Sequence, residues 1–373
     1  MAGKGKQTYY VVDRKQHDEL VAKLYMARGF DAEESAVAAR YAGFASWHGI
    51  RTHAALKALH LEHLFGQSAG LAKPGAKIER IDSPYKAVVK LNGHYKLGQP
   101  IASEAMRICC ELADEYGVGM VAVDQPFHYL WGGGYVLETA QKGYIAYTNC
   151  TAGLAEVVPF GGKYPTIGTN PHSWAFPTQD LVGFPILVDW ATSAVAMGKV
   201  QQLKREGQKL PPEVAIDKDG RFTDDPNEVF GVMPFGGKQA GHKGYGLGLI
   251  IELYGAYIGG SLPTLRGPNK TGHDKKRSSC YLFQAIKPDA LAIGSFDSPA
   301  DRDANVKAVI EDMLGHGNEG AILPGQIEAN NARLSEQFGG LLFTPAEMAE
   351  FAEAFQEAGI EGFSTQTAKK IEA

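Results

Sequence analysis

Glycine is concentrated in two segments of this 373-residue chain: residues 117–168 and 231–272 together hold 22 of its 45 glycines. Apolar, strand-like runs lie in and between these segments, at Met120 to Val123, Tyr144 to Thr148 and Pro185 to Val188. Glycine provides tight turns and lets the backbone approach another group closely. The pattern therefore predicts an α/β protein whose glycine-rich connections make close backbone contacts.

The first 70 residues have a different, helical pattern. Asp13 and Asp31 each stand at capping-box spacing before an apolar helical stripe, and a third helix is predicted from Arg51 to Phe65. Strand and helix patterns alternate from Gly75, and the helical pattern returns near the end of the chain. The predicted division is a helical part over residues 1–74, an α/β domain over 75–335 and C-terminal helices over 336–373.

Three local predictions concern the α/β domain. Asn92-Gly93 is typical of a hairpin turn. Helices are predicted from about Ala191 to Glu206 and from Tyr245 to Ile258.

Charge and composition exclude several classes of protein. The net charge of −5 gives no basic excess for binding phosphates, so we expect no nucleic-acid partner. No run of about 18 apolar residues and no secretory pattern occurs, so we expect no membrane association. The four cysteines form no metal-ligand or redox motif, which indicates a cytoplasmic protein, and no metal site is predicted.

The common catalytic and nucleotide-binding fingerprints are absent. No G-x-G-x-x-G dinucleotide motif, phosphate-binding P-loop, G-x-S-x-G nucleophile motif or H-E-x-x-H zinc motif occurs. A standard Rossmann domain and the usual hydrolase sites are therefore not supported.

Polar residues within glycine-rich turns remain as candidates for chemistry. His48, in the segment WHGIR, could exchange protons near neutral pH, and Arg51 could bind a carboxylate; the alternative is a surface helix end. His128 precedes an aromatic and glycine-rich segment, with a buried core histidine as the alternative. Lys243 and Gly244 precede the second predicted helix, where they could bind phosphate or form a simple turn.

Seven segments in this order resemble the type-2 malate/L-lactate dehydrogenase family, which includes ureidoglycolate, sulfolactate, diketogulonate and piperideine-carboxylate oxidoreductases. The segments are WHGIR (47–51), LGQPIASEAM (97–106), FHYLWGGGY (127–135), VVPFGG with IGTNP (157–171), VDWATS (188–193), MPFGGKQAGHKGYGL (233–247) and LPGQ (323–326). The resemblance implies a non-Rossmann α/β fold with a large mixed-sheet cofactor domain. A helical domain formed by both termini, a homodimer and NAD or NADP as cofactor are also implied. The two glycine-rich segments then become candidate walls of the cofactor cleft.

The resemblance also assigns roles to individual residues. His48 is the leading acid/base, His128 competes with it, and Asp189 lies against the cofactor or orients a histidine. Trp47, Arg51 and Thr52 are placed on the substrate side; Trp47 replaces a family serine, and Thr52 stands where the family arginine often does. The implied cofactor-binding residues are Thr169, Asn170, Asp189, Trp190, Ala191, Lys243, Gly244, Pro324, Gly325 and Gln326.

The expected function is hydride transfer between the nicotinamide and the α-carbon of a small 2-hydroxy or 2-oxo acid, a carboxylate substrate such as malate or lactate. One alternative is the reduction of a cyclic or N-alkyl imino acid. Another, of a different class, is a non-catalytic ligand-binding relative.

Overall fold

The computed structural model describes residues 7–67, 70–259, 279–364 and 368–372. Part of the second glycine-rich segment, from residue 260 onward, lies outside these ranges. The strands are β1 (Thr8–Val12), β2 (Glu79–Ile81), β3 (Val88–Asn92), β4 (Val118–Asp124), β5 (Ile145–Cys150), β6 (His172–Phe176), β7 (Ile186–Trp190), β8 (Ala215–Ile216), β9 (Gly231–Val232), β10 (Cys280–Ile286), β11 (Leu341–Phe343) and β12 (Lys369–Glu372). The helices are α1 (Arg14–Met26), α2 (Ala32–Trp47), α3 (Ala55–Phe65), α4 (Gly98–Tyr116), α5 (Gly132–Ala140), α6 (Gln179–Val182), α7 (Met197–Arg205), α8 (Gly237–Ile258), α9 (Pro288–Leu291), α10 (Pro299–Leu314), α11 (Gln326–Phe338) and α12 (Pro345–Glu357).

A seven-stranded mixed sheet organises the α/β part, in the order β2-β3-β4-β10-β5-β6-β7. Only the β3–β4 pair is parallel, and the other neighbours are antiparallel. The predicted α/β, non-Rossmann fold is thus confirmed. Because the dinucleotide fingerprint belongs to a parallel sheet with helical crossovers, its absence from the sequence follows from this topology.

Alternate residues of the central strands separate two faces of the sheet. Val121 and Val123 pack in the main core with α4 and α5, whereas Met120 and Ala122 pack with Ile258 at the end of α8. This alternation is the period-two pattern of a strand covered on both faces. Helices therefore cover both faces, as in other layered α/β proteins.

The two ends of the chain share a separate core. Strand β1 lies between β11 and β12, and Leu24 from α1 packs in one cluster with Phe351 and Phe355 from α12. The side chains of Asp13 and Asp31 accept hydrogen bonds from the amides of Gln16 and Glu34, so the helix starts predicted from capping are confirmed. The three-stranded sheet of this unit was not predicted.

The predicted hairpin at Asn92-Gly93 is wrong. Strand β3 continues into α4 and then into the parallel strand β4, and the Gly93 amide donates to the carbonyl of Asp124 at the end of β4. The turn chemistry was identified correctly, but it joins a strand to a crossover helix instead of to an antiparallel neighbour.

The predicted starts of two helices are also wrong. Helix α7 begins at Met197, because the amides of Thr192 and Ala194 donate to the carbonyls of Thr169 and Met233 instead of forming a helical turn. Helix α8 begins at Gly237, after a left-handed Gly236 with φ 102°. Lys243 and Gly244 consequently lie in the second turn of α8, so the predicted phosphate cradle at the start of this helix is not formed by them.

Within the described part of the chain, no helix is long and apolar enough to cross a membrane. The same residues contain no group of three or more histidine, cysteine or acidic side chains placed to hold a metal ion.

Candidate active site

A cleft of about 630 Å³ lies between the terminal unit and the large sheet. One wall is a single face of α3 and the residues before it, where His53, Lys57, Leu61 and Phe65 follow one another at steps of four. Side chains at this spacing lie one above another on a helix. The opposite side carries Thr169, residues 152–156 and the first turn of α7, residues 196–199. The cleft combines apolar walls with a few charged and polar groups, as small-molecule sites do.

His128 lines this cleft in a fixed tautomer. Its Nδ1 accepts a hydrogen bond of 2.8 Å from the backbone N–H of Leu130, so in the neutral ring the proton is on Nε2. Its ring stacks on that of His53, with centroids 6.4 Å apart. Burial, together with the charges of His53 and Lys57, lowers the pKa of His128 to about 3. The ring is therefore neutral at physiological pH and can donate a hydrogen bond from Nε2.

His48 has the opposite tautomer. It caps the end of α2, and its Nδ1 donates to the carbonyl of Phe44 at 2.9 Å, so the neutral ring has its lone pair on Nε2. Burial lowers the pKa of His48, and the hydrogen bond to Phe44 opposes this shift. Nε2 makes no hydrogen bond to any residue that the structure describes. His48 can thus accept a proton at Nε2.

Trp131 lies between His48 and Asp189. Its ring centroid is 5.7 Å from that of His48, and its Nε1 donates to a carboxylate oxygen of Asp189 at 2.9 Å. The other oxygen of Asp189 accepts from Ser173 Oγ at 2.5 Å. Asp189 therefore orients Trp131 directly, and it reaches His48 only through the indole.

Asp189 combines an accessible surface with a carboxylate that is surrounded by protein. Desolvation by the surrounding protein raises the pKa of Asp189 to about 6, although the hydrogen bonds from Ser173 and Trp131 favour the charged form. The residue nevertheless remains exposed to solvent.

Two loops connect this group to the cleft. Residues 48–53 and 128–131 contact each other twice, through the His48–Trp131 pair and through the His53–His128 pair. The structure thus places the two histidines of the predicted site, in complementary tautomers, on two loops that contact each other, although of the two only His128 lines the cleft.

The three residues predicted on the substrate side have different positions. The guanidinium of Arg51 pairs with Glu347 and donates to the carbonyl of Leu342, both in the C-terminal part of the chain. Trp47 packs against the core of the terminal unit. Only Thr52 lines the cleft, and its hydroxyl is 3.0 Å from Nδ1 of His53.

The residues predicted to bind the cofactor fall into three groups. Thr169 lines the cleft, whereas the buried Asn170 amide is fully engaged with Gly248, Glu252 and the amide of Ala152. Trp190 stacks on His172, and Ala191 begins the connection to α7.

The third group lies away from these residues. Lys243 is exposed on α8, and Gly244 packs against the backbone of Phe235. Pro324 and Gly325 contact Leu187 of β7, where the carbonyl of Pro324 accepts from the Leu187 amide, and Gln326 begins α11. The Pro324–Gln326 segment therefore lies beside the strand that carries Asp189.

Sequence reasoning missed His53 and Lys57 as site residues. Their signal was present: a predicted helix near residues 51–65 with a face at 53, 57, 61 and 65 that carries two cationic or titratable groups above two apolar ones. That face was not distinguished from an ordinary half-buried helix face.

The fold and the cleft define a non-Rossmann α/β protein with a site of the size and lining that suit a small ligand. Residues 12–351 match the family model described as malate/L-lactate dehydrogenase. The chain therefore belongs to the malate/L-lactate dehydrogenase family, an oxidoreductase family, and the predicted resemblance and enzyme class are confirmed.

Individual relatives agree with this membership. The malate/(S)-sulfolactate dehydrogenase of Methanothermus fervidus is 29% identical over 335 residues, which cover 88% of this chain and 93% of the relative. The Δ1-pyrroline-2-carboxylate reductase of Agrobacterium fabrum is 29% identical over 341 residues, covering 88% and 92%. The solved structure of a malate/lactate dehydrogenase homologue from E. coli has a TM-score of 0.80 at 25% identity, covering 94% of this chain and 96% of that one.

Proposed function

We propose that this protein is an NAD- or NADP-dependent oxidoreductase that transfers a hydride between the nicotinamide and the α-carbon of a small 2-hydroxy or 2-oxo acid. The observation that carries the proposal is the pair of complementary histidine tautomers on two contacting loops, His48 with a free lone pair and His128 with a free N–H. The relatives named for malate and sulfolactate support the same class of substrate.

The cleft has room and suitable groups for the dinucleotide that the family implies. Helix α7 begins at its border, and its N-cap, Ala196, provides no side-chain cap. An uncapped helix start favours anionic groups such as a pyrophosphate. Thr169 lies in the same wall, and Asp189 to Ala191 lead from β7 into the α7 turn. We propose that these residues hold the cofactor, which when bound supplies or accepts the hydride at its nicotinamide ring.

The residues of the chain would handle the proton and the charge. In oxidation of a 2-hydroxy acid, His48 Nε2 accepts the hydroxyl proton as the hydride leaves the α-carbon. In reduction the same nitrogen returns the proton to the carbonyl oxygen. His128 Nε2–H donates a hydrogen bond to that oxygen, where negative charge is largest, and the Leu130 amide prevents the ring from turning its lone pair towards the substrate.

The test is the replacement of His48 by alanine. We expect turnover to fall by about 10²–10⁴, the usual contribution of a positioned acid/base, with little change in NAD(P)H affinity. Oxidation of NADH and NADPH is followed by the loss of the near-ultraviolet absorbance of the reduced nicotinamide, with a panel of 2-oxo acids. Turnover at the wild-type level would reject the role of His48 and transfer it to His128.

A second candidate reaction is reduction of a cyclic or N-alkyl imino acid. It is favoured by one observation: the relative named for pyrroline-2-carboxylate matches this chain at the same identity and coverage as the relative named for malate and sulfolactate. The same His48 would then exchange a proton with the imine nitrogen. Rates with pyruvate alone and with pyruvate plus methylamine distinguish the two reactions, because only the second mixture contains an imine.

We also propose a homodimer. Helix α8 exposes an apolar face in the protomer: the exposed fraction is 45% for Ile250, 50% for Leu253 and 89% for Tyr257. A contiguous apolar surface of this kind marks an interaction site. Sedimentation of the wild-type protein tests the association.

A further inference from the structure

Lys57 is the cation that the terminal unit contributes to the cleft. It occupies the second position on the α3 face that also presents His53, Leu61 and Phe65. The charge of Lys57 acts on the rings of both His53 and His128, whose pKa values it helps to lower. Lys57 and His128, the hydrogen-bond donor proposed for the substrate oxygen, therefore line the same cleft.

The arginine expected to bind the substrate carboxylate is not available for that role. Thr52 stands at the position where the family arginine often occurs, and Arg51, one residue earlier, is paired with Glu347. Its guanidinium also donates to the Leu342 carbonyl at 3.1 Å. A 2-oxo acid in the cleft thus needs another cation.

Lys57 has the properties of an anion-binding group. In the part of the chain that the structure describes, its ammonium makes no hydrogen bond or ion pair, although Glu156 across the cleft attracts it electrostatically. Half-burial lowers the pKa of Lys57, and Glu156 opposes that shift. A partly desolvated cation without a hydrogen-bonded partner gains more from an incoming carboxylate than a solvated surface lysine does.

We propose that Lys57 binds the carboxylate of the substrate and so replaces the family arginine, with the adjacent oxo group directed to His128. This inference rests on the proposed function for its substrate class, a small 2-oxo or 2-hydroxy acid. A lysine presents a compact point charge instead of a planar fork, so it fixes the carboxylate less strictly in orientation.

The experiment compares Lys57→Met, Lys57→Arg and Arg51→Met with the wild type. The first probe is oxamate, a non-reducible analogue of pyruvate, titrated by calorimetry into each protein in the presence of NADH. A charge-assisted hydrogen bond corresponds to a change in affinity of roughly 10- to 100-fold. We expect Lys57→Met to weaken oxamate binding by that factor, Lys57→Arg to restore part of it, and Arg51→Met to leave it unchanged.

Turnover provides the second measurement. Lys57→Met should raise the KM for pyruvate by a similar factor with a much smaller change in kcat. Melting curves confirm that each variant is folded, and the affinity for NADH should not change.

The outcomes separate this inference from the proposed function. Unchanged oxamate affinity and unchanged KM in Lys57→Met overturn the role of Lys57, while turnover by the wild type still upholds the proposed function. Oxamate binding that is weakened only in Arg51→Met assigns the carboxylate to Arg51. If the wild type reduces no 2-oxo acid, the proposed function fails, but oxamate binding still decides the role of Lys57. Loss of oxamate binding in Lys57→Met but not in Arg51→Met supports that role. Absence of oxamate binding to the wild type refutes it.

Discussion

The indole N–H of Trp131 gives a direct measure of how strongly the Asp189 group is held together. Trp131→Phe keeps an aromatic ring against His48 but removes the donor to Asp189, whose carboxylate is 2.9 Å from the indole nitrogen. Hydrogen bonds to charged groups contribute about 1.5–3 kcal/mol, and the lost ring area adds to the effect. We expect the free energy of unfolding to fall by about 2–4 kcal/mol.

A double-mutant cycle with Asp189→Asn isolates the interaction itself. The amide introduced by this substitution has one acceptor, its oxygen, and one donor group, its NH2, to place opposite Trp131 and Ser173. The Ser173 hydroxyl can rotate and accept from the NH2 group, whereas the Trp131 indole can only donate, so the amide oxygen faces the indole. The interaction between Trp131 and Asp189 should appear as a coupling energy of about 1–2 kcal/mol in urea unfolding at fixed protomer concentration.

Trp190→Phe is the matched control. The Trp190 indole nitrogen is buried and has no hydrogen-bond partner among the described residues, so its removal loses no such bond. We expect this variant to be less destabilised than Trp131→Phe by at least about 1 kcal/mol. Equal losses in the two variants, or additive effects in the cycle to within about 0.5 kcal/mol, would refute the reasoning.

Three further outcomes follow from the site and from α8. Burial lowers the pKa of His48 below its ordinary value of 6.5 and leaves His53 and His128 with pKa values of about 4 and about 3. We therefore expect kcat/KM for oxidation to fall about tenfold per pH unit below the pKa of His48, and kcat/KM for reduction to rise as the pH falls towards that pKa. A pH dependence of kcat/KM that is confined to values above pH 7 contradicts the assignment. Gly244→Ala should lower the free energy of unfolding by about 1–3 kcal/mol in thermal or urea unfolding, because the added Cβ would be 2.4 Å from the Phe235 carbonyl oxygen. Gly246→Ala, with open space around it, should raise the free energy of unfolding by about 0.5–1 kcal/mol. Leu253→Asp should shift sedimentation towards the monomer with the secondary structure intact, and an unchanged oligomer would exclude this face of α8 as the interface.

Local signals in the sequence predicted the parts of the fold that local interactions determine. The caps at Asp13 and Asp31 were found because each depends on residues within a few positions of one another. The starts of α7 and α8 were missed because they depend on distant partners, such as the Thr169 carbonyl that holds the Thr192 amide. Gly244 resembles a helix-breaking residue in sequence, but it is required where α8 packs on its own preceding loop.

The same distinction applies to the site. His48 and His128 could be identified from motifs, yet their different tautomers could not, because these follow from the backbone geometry around Phe44 and Leu130. The engagement of Arg51 could not be predicted either, since Glu347 is 296 residues away. A positive side chain next to a histidine in sequence is thus weak evidence for substrate binding until its other possible partners are known.

The two histidines and Lys57 are held in place in different ways. Both tautomers are set by backbone groups close in sequence, the carbonyl of Phe44 four residues before His48 and the amide of Leu130 two residues after His128. Backbone groups are present whatever the side chain, so this proton-transfer geometry tolerates substitution around it as long as the local conformation is kept. Lys57, the cation proposed for the carboxylate, has no such protection, because it reaches the cleft only through the placement of α3. With the proposed roles, a change in that wall would alter the substrate specificity while the geometry of the two histidines stays in place.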